Sequence, residues 1–220
     1  MKVIIRADAS PEIGGGHIMR CLTLADQLAS KQANVTFAVR EGSMETVPLL
    51  ANSCHQVVVL EGLEPDEAQE VETNIGRCDW LIVDHYGRDE KFEKAARAFA
   101  RKIMVIDDMA NRHHDCDVLL DQTYGRDEED YRPLVPEWAK ILTGTDYALL
   151  RPEYAARRPR TLARRSDNTG VRRILVSLGA GELNTITKIV LTALSQTGMD
   201  LVIDVVLGTA DPEDIGLMNI

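Results

Sequence analysis

Cysteine is scarce in this sequence: Cys21, Cys54, Cys78 and Cys116 are scattered through 220 residues with no CxxC pair. That spacing excludes a disulfide framework and the common paired-cysteine zinc modules, and each thiol reads as a small buried apolar group. Long apolar runs are missing too: none approaches the roughly 20 residues needed to span a bilayer. With no signal-peptide pattern, the expectation is a protein of the reducing cytoplasm with no membrane partner. Basic residues are outnumbered, 25 Lys and Arg against 35 Asp and Glu, for a formal net charge of −10. Nucleic acid is therefore not the expected main partner, although a few oriented amides and one or two arginines can still hold a small anionic ligand. The GxxxxGK[ST] phosphate loop is also absent.

What remains is the composition of an ordinary globular chain, 45% hydrophobic and 27% charged, long enough to bury a core without staples. Short β-branched runs at residues 2–6, 35–39, 56–60, 80–84 and 102–106, with shorter ones at 118–120 and 140–143, read as strands. Helical stretches lie between them at 17–31, 44–51, 64–75 and 89–101. In the first, Ile18, Leu22, Ala25 and Leu28 recur at three- and four-residue spacing and make one apolar face. Continuous apolar strands separated by helices predict an α/β fold whose parallel sheet is covered on both faces. Residues 155–173 are rich in arginine and carry no apolar periodicity, which reads as a linker. A basic arm for nucleic acid is the sharper alternative there. The pattern then restarts with a strand at 174–177, a turn at Gly179-Ala180-Gly181, a helix from Asn184 and a strand at 201–207. The expected organisation is a Rossmann-like catalytic domain over 1–154, a linker over 155–170, and over 171–220 the start of a second Rossmann-like, nucleotide-binding domain that is incomplete.

Four segments carry candidate chemistry. The first βα turn runs from Arg6 through Asp8 to Gly14-Gly15-Gly16-His17. Its glycines permit positive φ and close approach of a ligand, and the helix start offers unpaired N–H groups to an anion. The turn lacks the third glycine of a dinucleotide fingerprint, and the second strand ends at Arg40-Glu41 without a ribose-binding acid. His17 stands where the helix dipole favours the neutral imidazole, suited to a general base at the C-terminal rim of a parallel sheet. The alternative is a capping or packing histidine. On the same rim, Asp84-His85-Tyr86-Gly87 follows a buried strand. Tyr86 is suited to stack on a sugar, and Asp84 to orient His17, hold a hydroxyl or cap the next loop.

The third segment, Asp107-Asp108 with His113-His114-Asp115-Cys116-Asp117, invites a metal reading. Adjacent histidines point apart and no tetrahedral ligand spacing is present, so polar capping of a rim loop is expected, with one substrate contact from Asp107 or Asp108 and no metal in the reaction. The fourth, Tyr147 to Arg151 followed by Pro152, holds Arg151 extended ahead of the linker. Its guanidinium is suited to a phosphate or a sugar substituent, or to a surface ion pair with Glu153.

Taken together, Arg6-Ala-Asp8, Gly14-x-Gly16-His17-x-x-Arg20, Asp84-His85-Tyr86-Gly87, Asp107-Asp108, His114-x-Cys116-Asp117 and Tyr147-Ala-Leu-Leu-Arg151 resemble a known family. It is the UDP-2,4-diacetamido-2,4,6-trideoxy-β-L-altropyranose hydrolases of pseudaminic acid biosynthesis, a route to flagellin or surface glycans. The resemblance implies a glycosyltransferase-B-like fold of two domains. It also implies attack of water on the anomeric carbon of a UDP-sugar with inversion and release of UDP, no cofactor, and a free sugar that goes on to condense with phosphoenolpyruvate. In that family the histidine of the Gly-x-Gly-His motif is the proposed base, which maps onto His17. Substrate contacts map onto Asp8, Gly14, Gly16, Arg20, Asp84, Tyr86, Arg151 and Asn184. In the second turn, Ala180 and Glu182 stand where the family commonly has Gly and Asp. A glycosyltransferase of the same fold and an inactive truncated remnant are the two alternatives.

Overall fold

A computed structural model describes residues 1–62, 66–166, 170–178 and 184–206. The chain divides into two compact units, Met1–Ala9 with His17–Leu150, and Ser10–Gly16 with Arg151–Ile220.

The first unit is a seven-stranded, wholly parallel sheet. Its strands are β1 (Lys2–Ala7), β2 (Asn34–Arg40), β3 (Gln56–Leu60), β4 (Cys78–Asp84), β5 (Ala100–Ile106), β6 (Val118–Asp121) and β7 (Lys140–Thr143), in spatial order 3-2-1-4-5-6-7. Alternate residues of each strand face opposite layers. Val3 and Ile5 of β1 join Phe37 and Ile82 under helix α1 (Gly16–Ser30), whose Ile18, Cys21, Leu22 and Ala25 close that core. Ile4 faces the other way, into a core with Leu81, Val83 and Ile103. The short helices α2 (Ser43–Thr46) and α3 (Pro48–Ala51) precede β3. Helices α4 (Glu67–Ile75) and α5 (Glu90–Ala96) supply Ala68, Val71, Phe92 and Ala96 to the second core. Covered on both faces, the central strands must be apolar throughout, which is why they read as continuous runs. This is a Rossmann-like α/β domain.

Local differences from the sequence reading have physical causes. The helix expected over 89–101 stops at Ala96, because Ala100 already pairs with Cys78 and the Cys78 N–H donates to the Phe99 carbonyl at 3.0 Å. Tertiary pairing with β4 claims residues whose own propensity is helical. Cys21, Cys78 and Cys116 are buried, but Cys54, in the turn before β3, is exposed.

In the second unit, the segment read as a linker forms helix α6 (Pro152–Ser166). Pro152 occupies the first turn, where no N–H is needed, and Arg, Ala and Leu are strong helix formers. With no side chain buried, nothing gives α6 an apolar periodicity to detect. Strands β8 (Arg173–Ser177) and β9 (Val202–Val206) pair in parallel around helix α7 (Asn184–Ser195), with Val176 and Leu191 buried. The expected turn at 179–181 lies outside the described residues. Among the described residues, no helix is long and apolar enough to cross a membrane.

Candidate active site

Strand order reverses between β1 and β4, since β2 lies beyond β1 and β5 beyond β4. Such a reversal at the carboxyl ends of the strands is where parallel α/β sheets characteristically bind ligands. Ala7 and Asp84 are paired there, at the last position of each strand. His17, in the first turn of α1, approaches Asp84 with Nδ1 2.6 Å from Oδ1.

Asp84 is fully buried and held from several sides. Arg20, one turn after His17 on α1, donates from Nε to Oδ2 and from Nη2 to Oδ1, each at 2.6 Å. The Cys21 thiol donates to Oδ2 at 3.4 Å. Burial pushes the Asp84 carboxyl up, but the bonds and charge of Arg20, followed by those of His17, outweigh it and hold the group below the ordinary carboxylate range. Burial, together with the Asp84 charge, raises the Cys21 thiol well above its usual value, so it stays a donor.

An ionised Asp84 can only accept, so the proton shared with His17 sits on Nδ1. The 3.3 Å approach of Arg20 Nη2 to His17 Nδ1 then sets two donors around one acceptor, Oδ1. Nε2 of His17 has no hydrogen-bond partner among the described residues, and its lone pair is available. Tyr86 packs edge-on against the imidazole, with ring centroids 4.6 Å apart at 81°. Its hydroxyl lies 3.4 Å from Asp108 Oδ2, which also accepts from Arg20 Nη1 at 3.0 Å. Burial and the Asp108 charge raise the Tyr86 phenol, keeping it protonated. An oriented imidazole beside a partly exposed aromatic ring can take a proton from a nucleophile and line the edge of a sugar.

Asp8 goes to an adjoining network. Its carboxylate accepts from Arg6 Nη1 and Nη2 at 2.5 and 2.8 Å and from the Arg40 N–H at 2.7 Å. His85 Nε2 lies 3.1 Å from its Oδ2. Because the Gly87 N–H donates to His85 Nδ1 at 2.8 Å, the neutral His85 ring carries its proton on Nε2 and gives it to Asp8. Glu67, on α4, accepts from Arg6 Nε at 2.6 Å, from Arg88 Nε and Nη2 at 2.8 and 2.5 Å, and from Arg40 Nη2. Burial alone raises the Glu67 carboxyl, but Arg88 and Arg6 bring it down to about 2. Asp8 is lowered too, against the same burial, by His85 and Arg6.

Depressed native carboxyls make the folded state the weaker proton binder. Their stabilisation is complete above the unfolded values and is lost as pH falls through the folded ones. The melting temperature followed by circular dichroism is expected to hold from about pH 7 to 5 and to fall steeply between about 4.5 and 2. A melting temperature constant across the lower window would contradict a charged network.

Gly14 adopts φ +73° and donates its N–H to the Ser10 carbonyl at 2.7 Å, so its glycine is required by the backbone. At Gly16 an added Cβ meets no atom within 4 Å, and packing among the described residues does not demand glycine. Arg151 belongs to the second unit, where its guanidinium lies 5.7 Å from the centre of the Tyr154 ring. Asn184 begins α7, and its side chain lies outside the described residues. Asp107 is buried and accepts the Tyr131 hydroxyl at 2.9 Å and two backbone N–H groups of its own turn. His114 Nδ1 lies 2.7 Å from Glu93 Oε1, and Asp115 and Asp117 both pair with Arg97. Glu67, Arg88 and Arg40 carry no sequence signal that marks them as members of this network. They sit among other charged residues, and only the folded chain shows that they converge.

Fold and site together define a Rossmann-like domain with a histidine–aspartate–arginine centre at its topological switch point. No family model matches the chain. It is similar to the UDP-2,4-diacetamido-2,4,6-trideoxy-beta-L-altropyranose hydrolase of Campylobacter jejuni, 36% identical over 162 residues, covering 70% of this chain and 53% of that protein. It is also similar to an uncharacterized protein of Methanocaldococcus jannaschii, 26% identical over 215 residues, covering 94% of this chain and 43% of that protein. The chain thus spans about half the length of these curated relatives.

Proposed function

We propose that this domain supplies the general base for hydrolysis of a UDP-linked diacetamido-trideoxy sugar, with a place in pseudaminic acid biosynthesis. The observation that carries the reading is the His17–Asp84 pair, clamped by Arg20 at the switch point, with Nε2 of His17 unpartnered among the described residues. The similarity to a hydrolase of such a sugar nucleotide supports the substrate class.

His17 Nε2 removes a proton from water as the water oxygen forms a bond to the anomeric carbon. The bond from that carbon to the diphosphate oxygen breaks, its electron pair leaves with UDP, and the imidazolium that forms is stabilised by Asp84. UDP is a good leaving group, so the reaction has less need of a strong acid than of a base. Tyr86 and Arg20 border the sugar. Gly14, Gly16, Arg151 and Asn184 are carried over as substrate contacts from the family pattern. Asp8 and Asp84 act by positioning, since their oxygens are already engaged within the protein.

Incubation with candidate UDP-sugars should release UDP, and proton NMR of the first product should show the inverted anomer before mutarotation. A carboxylate nucleophile would instead retain configuration through a covalent intermediate. Retention, or no release from any diacetamido-trideoxy UDP-sugar, would overturn the proposal.

A further inference from the structure

We infer a transition-metal site at the opposite edge of the sheet, formed by Asp26, Cys54 and His55, with zinc as the ion its chemistry favours. One ligand atom from each residue lies within 4.8 Å of the other two. Asp26 is on α1, nine residues beyond His17 and so about 13 Å further along the helix at 1.5 Å per residue. Cys54 and His55 directly precede β3, which places them at the amino edge of the parallel sheet, while His17 and Asp84 occupy the carboxyl edge. No metal is expected in the reaction at that other edge.

His55 is the fixed member. Its side chain is only 3% exposed, its ring packs against Phe37 with centroids 5.7 Å apart, and its N–H donates to the Ser53 hydroxyl at 3.3 Å. Ser53 in turn donates to the Leu50 carbonyl at 2.7 Å, which holds the turn in place. Nε2 of His55 is 2.8 Å from Asp26 Oδ1. Asp26 is 64% exposed and Cys54 is the exposed thiol, so both are free to rotate toward an ion.

Tetrahedral zinc, with bonds of about 2.0–2.1 Å to N and O and about 2.3 Å to S, sets its ligand atoms about 3.3–3.6 Å apart. The present trio reaches that arrangement by side-chain shifts on the order of 1 Å, opening the Asp26–His55 contact and closing on Cys54. A thiolate and an imidazole beside one carboxylate select zinc or cobalt over calcium or magnesium. Three protein ligands leave a fourth position for water. On binding, the Cys54 thiol gives its proton to solvent, the Nε2 proton that His55 shares with Asp26 passes through solvent to Nδ1, and all three residues donate lone pairs to the ion. An ion held there ties the second half of α1 to the entry of β3.

Cobalt(II) is the probe. Titrated into the metal-free chain, it should give the near-ultraviolet thiolate-to-cobalt charge-transfer band, saturating at one equivalent and bleached by zinc. Cys54→Ser should abolish the band, and His55→Ala and Asp26→Asn should each weaken binding tenfold or more. Circular dichroism checks that each variant keeps the fold. Absence of the band, its persistence in Cys54→Ser, or unchanged affinity in His55→Ala would overturn the site.

Discussion

His17→Ala is expected to lower UDP release by about 10²- to 10⁴-fold, the usual cost of losing a general base, with KM for the UDP-sugar nearly unchanged. The imidazole removes a proton only as the water attacks, so its contribution belongs to the transition state and not to ground-state binding. The variant should also keep the fold. Asp84 retains both bonds to Arg20 when the imidazole is gone, so no bare buried charge is created. His17→Asn separates catalysis from packing. Its amide can donate to Asp84 in place of Nδ1, yet it has no basic nitrogen, so it should be as inactive as His17→Ala. Turnover near wild type in either variant ends the assignment. Asp84→Asn is the positioning counterpart: it should lower kcat with KM little changed, because the tautomer of His17 is no longer imposed.

The largest effect on stability is expected at Glu67, in the charged network that adjoins the His17–Asp84 centre. Glu67→Gln keeps the volume but removes the negative charge around which Arg6, Arg40 and Arg88 converge. Breaking one side of a buried ion pair costs about 3–5 kcal/mol, because the partner charge stays buried without compensation. For a chain of this length that corresponds to a melting temperature lower by roughly 6–20 °C. The loss should depend on pH in a definite sense. At pH 7 the wild-type carboxylate is fully charged and the difference is greatest. As the pH approaches the native value of about 2, the wild-type side chain protonates and the two curves should converge. A stability difference that is constant from pH 7 to about 2.5 would mean that packing, and not charge, explains Glu67.

Much of the fold was legible because burial leaves a periodic trace. Strands covered on both faces must be apolar end to end, so β1, β2, β4 and β5 stand out as runs, and the 3.6-residue spacing of Ile18, Leu22, Ala25 and Leu28 marks the buried face of α1. Elements without such a trace leave no local signal. Helix α6 buries nothing and looked like a linker, and the boundary between α5 and β5 is settled by the pairing of Ala100 with Cys78, which no local pattern encodes.

The candidate centre divides in the same way. The sequence by itself determined that a glycine-rich turn ends in His17 at a helix start, and that Asp84, His85 and Tyr86 follow a buried strand, since both are local facts of chain order. Only the tertiary structure decided that β1 and β4 are neighbours. That adjacency carries His17 and Asp84, 67 residues apart, to 2.6 Å, brings Arg20 and Cys21 onto the same carboxylate, and sends Asp8 into the cluster around Glu67 instead. It likewise decided that Asp26 meets Cys54 and His55. Strand order is set by how whole helices cover both faces of a sheet, a long-range balance of buried area that short-range periodicity does not record.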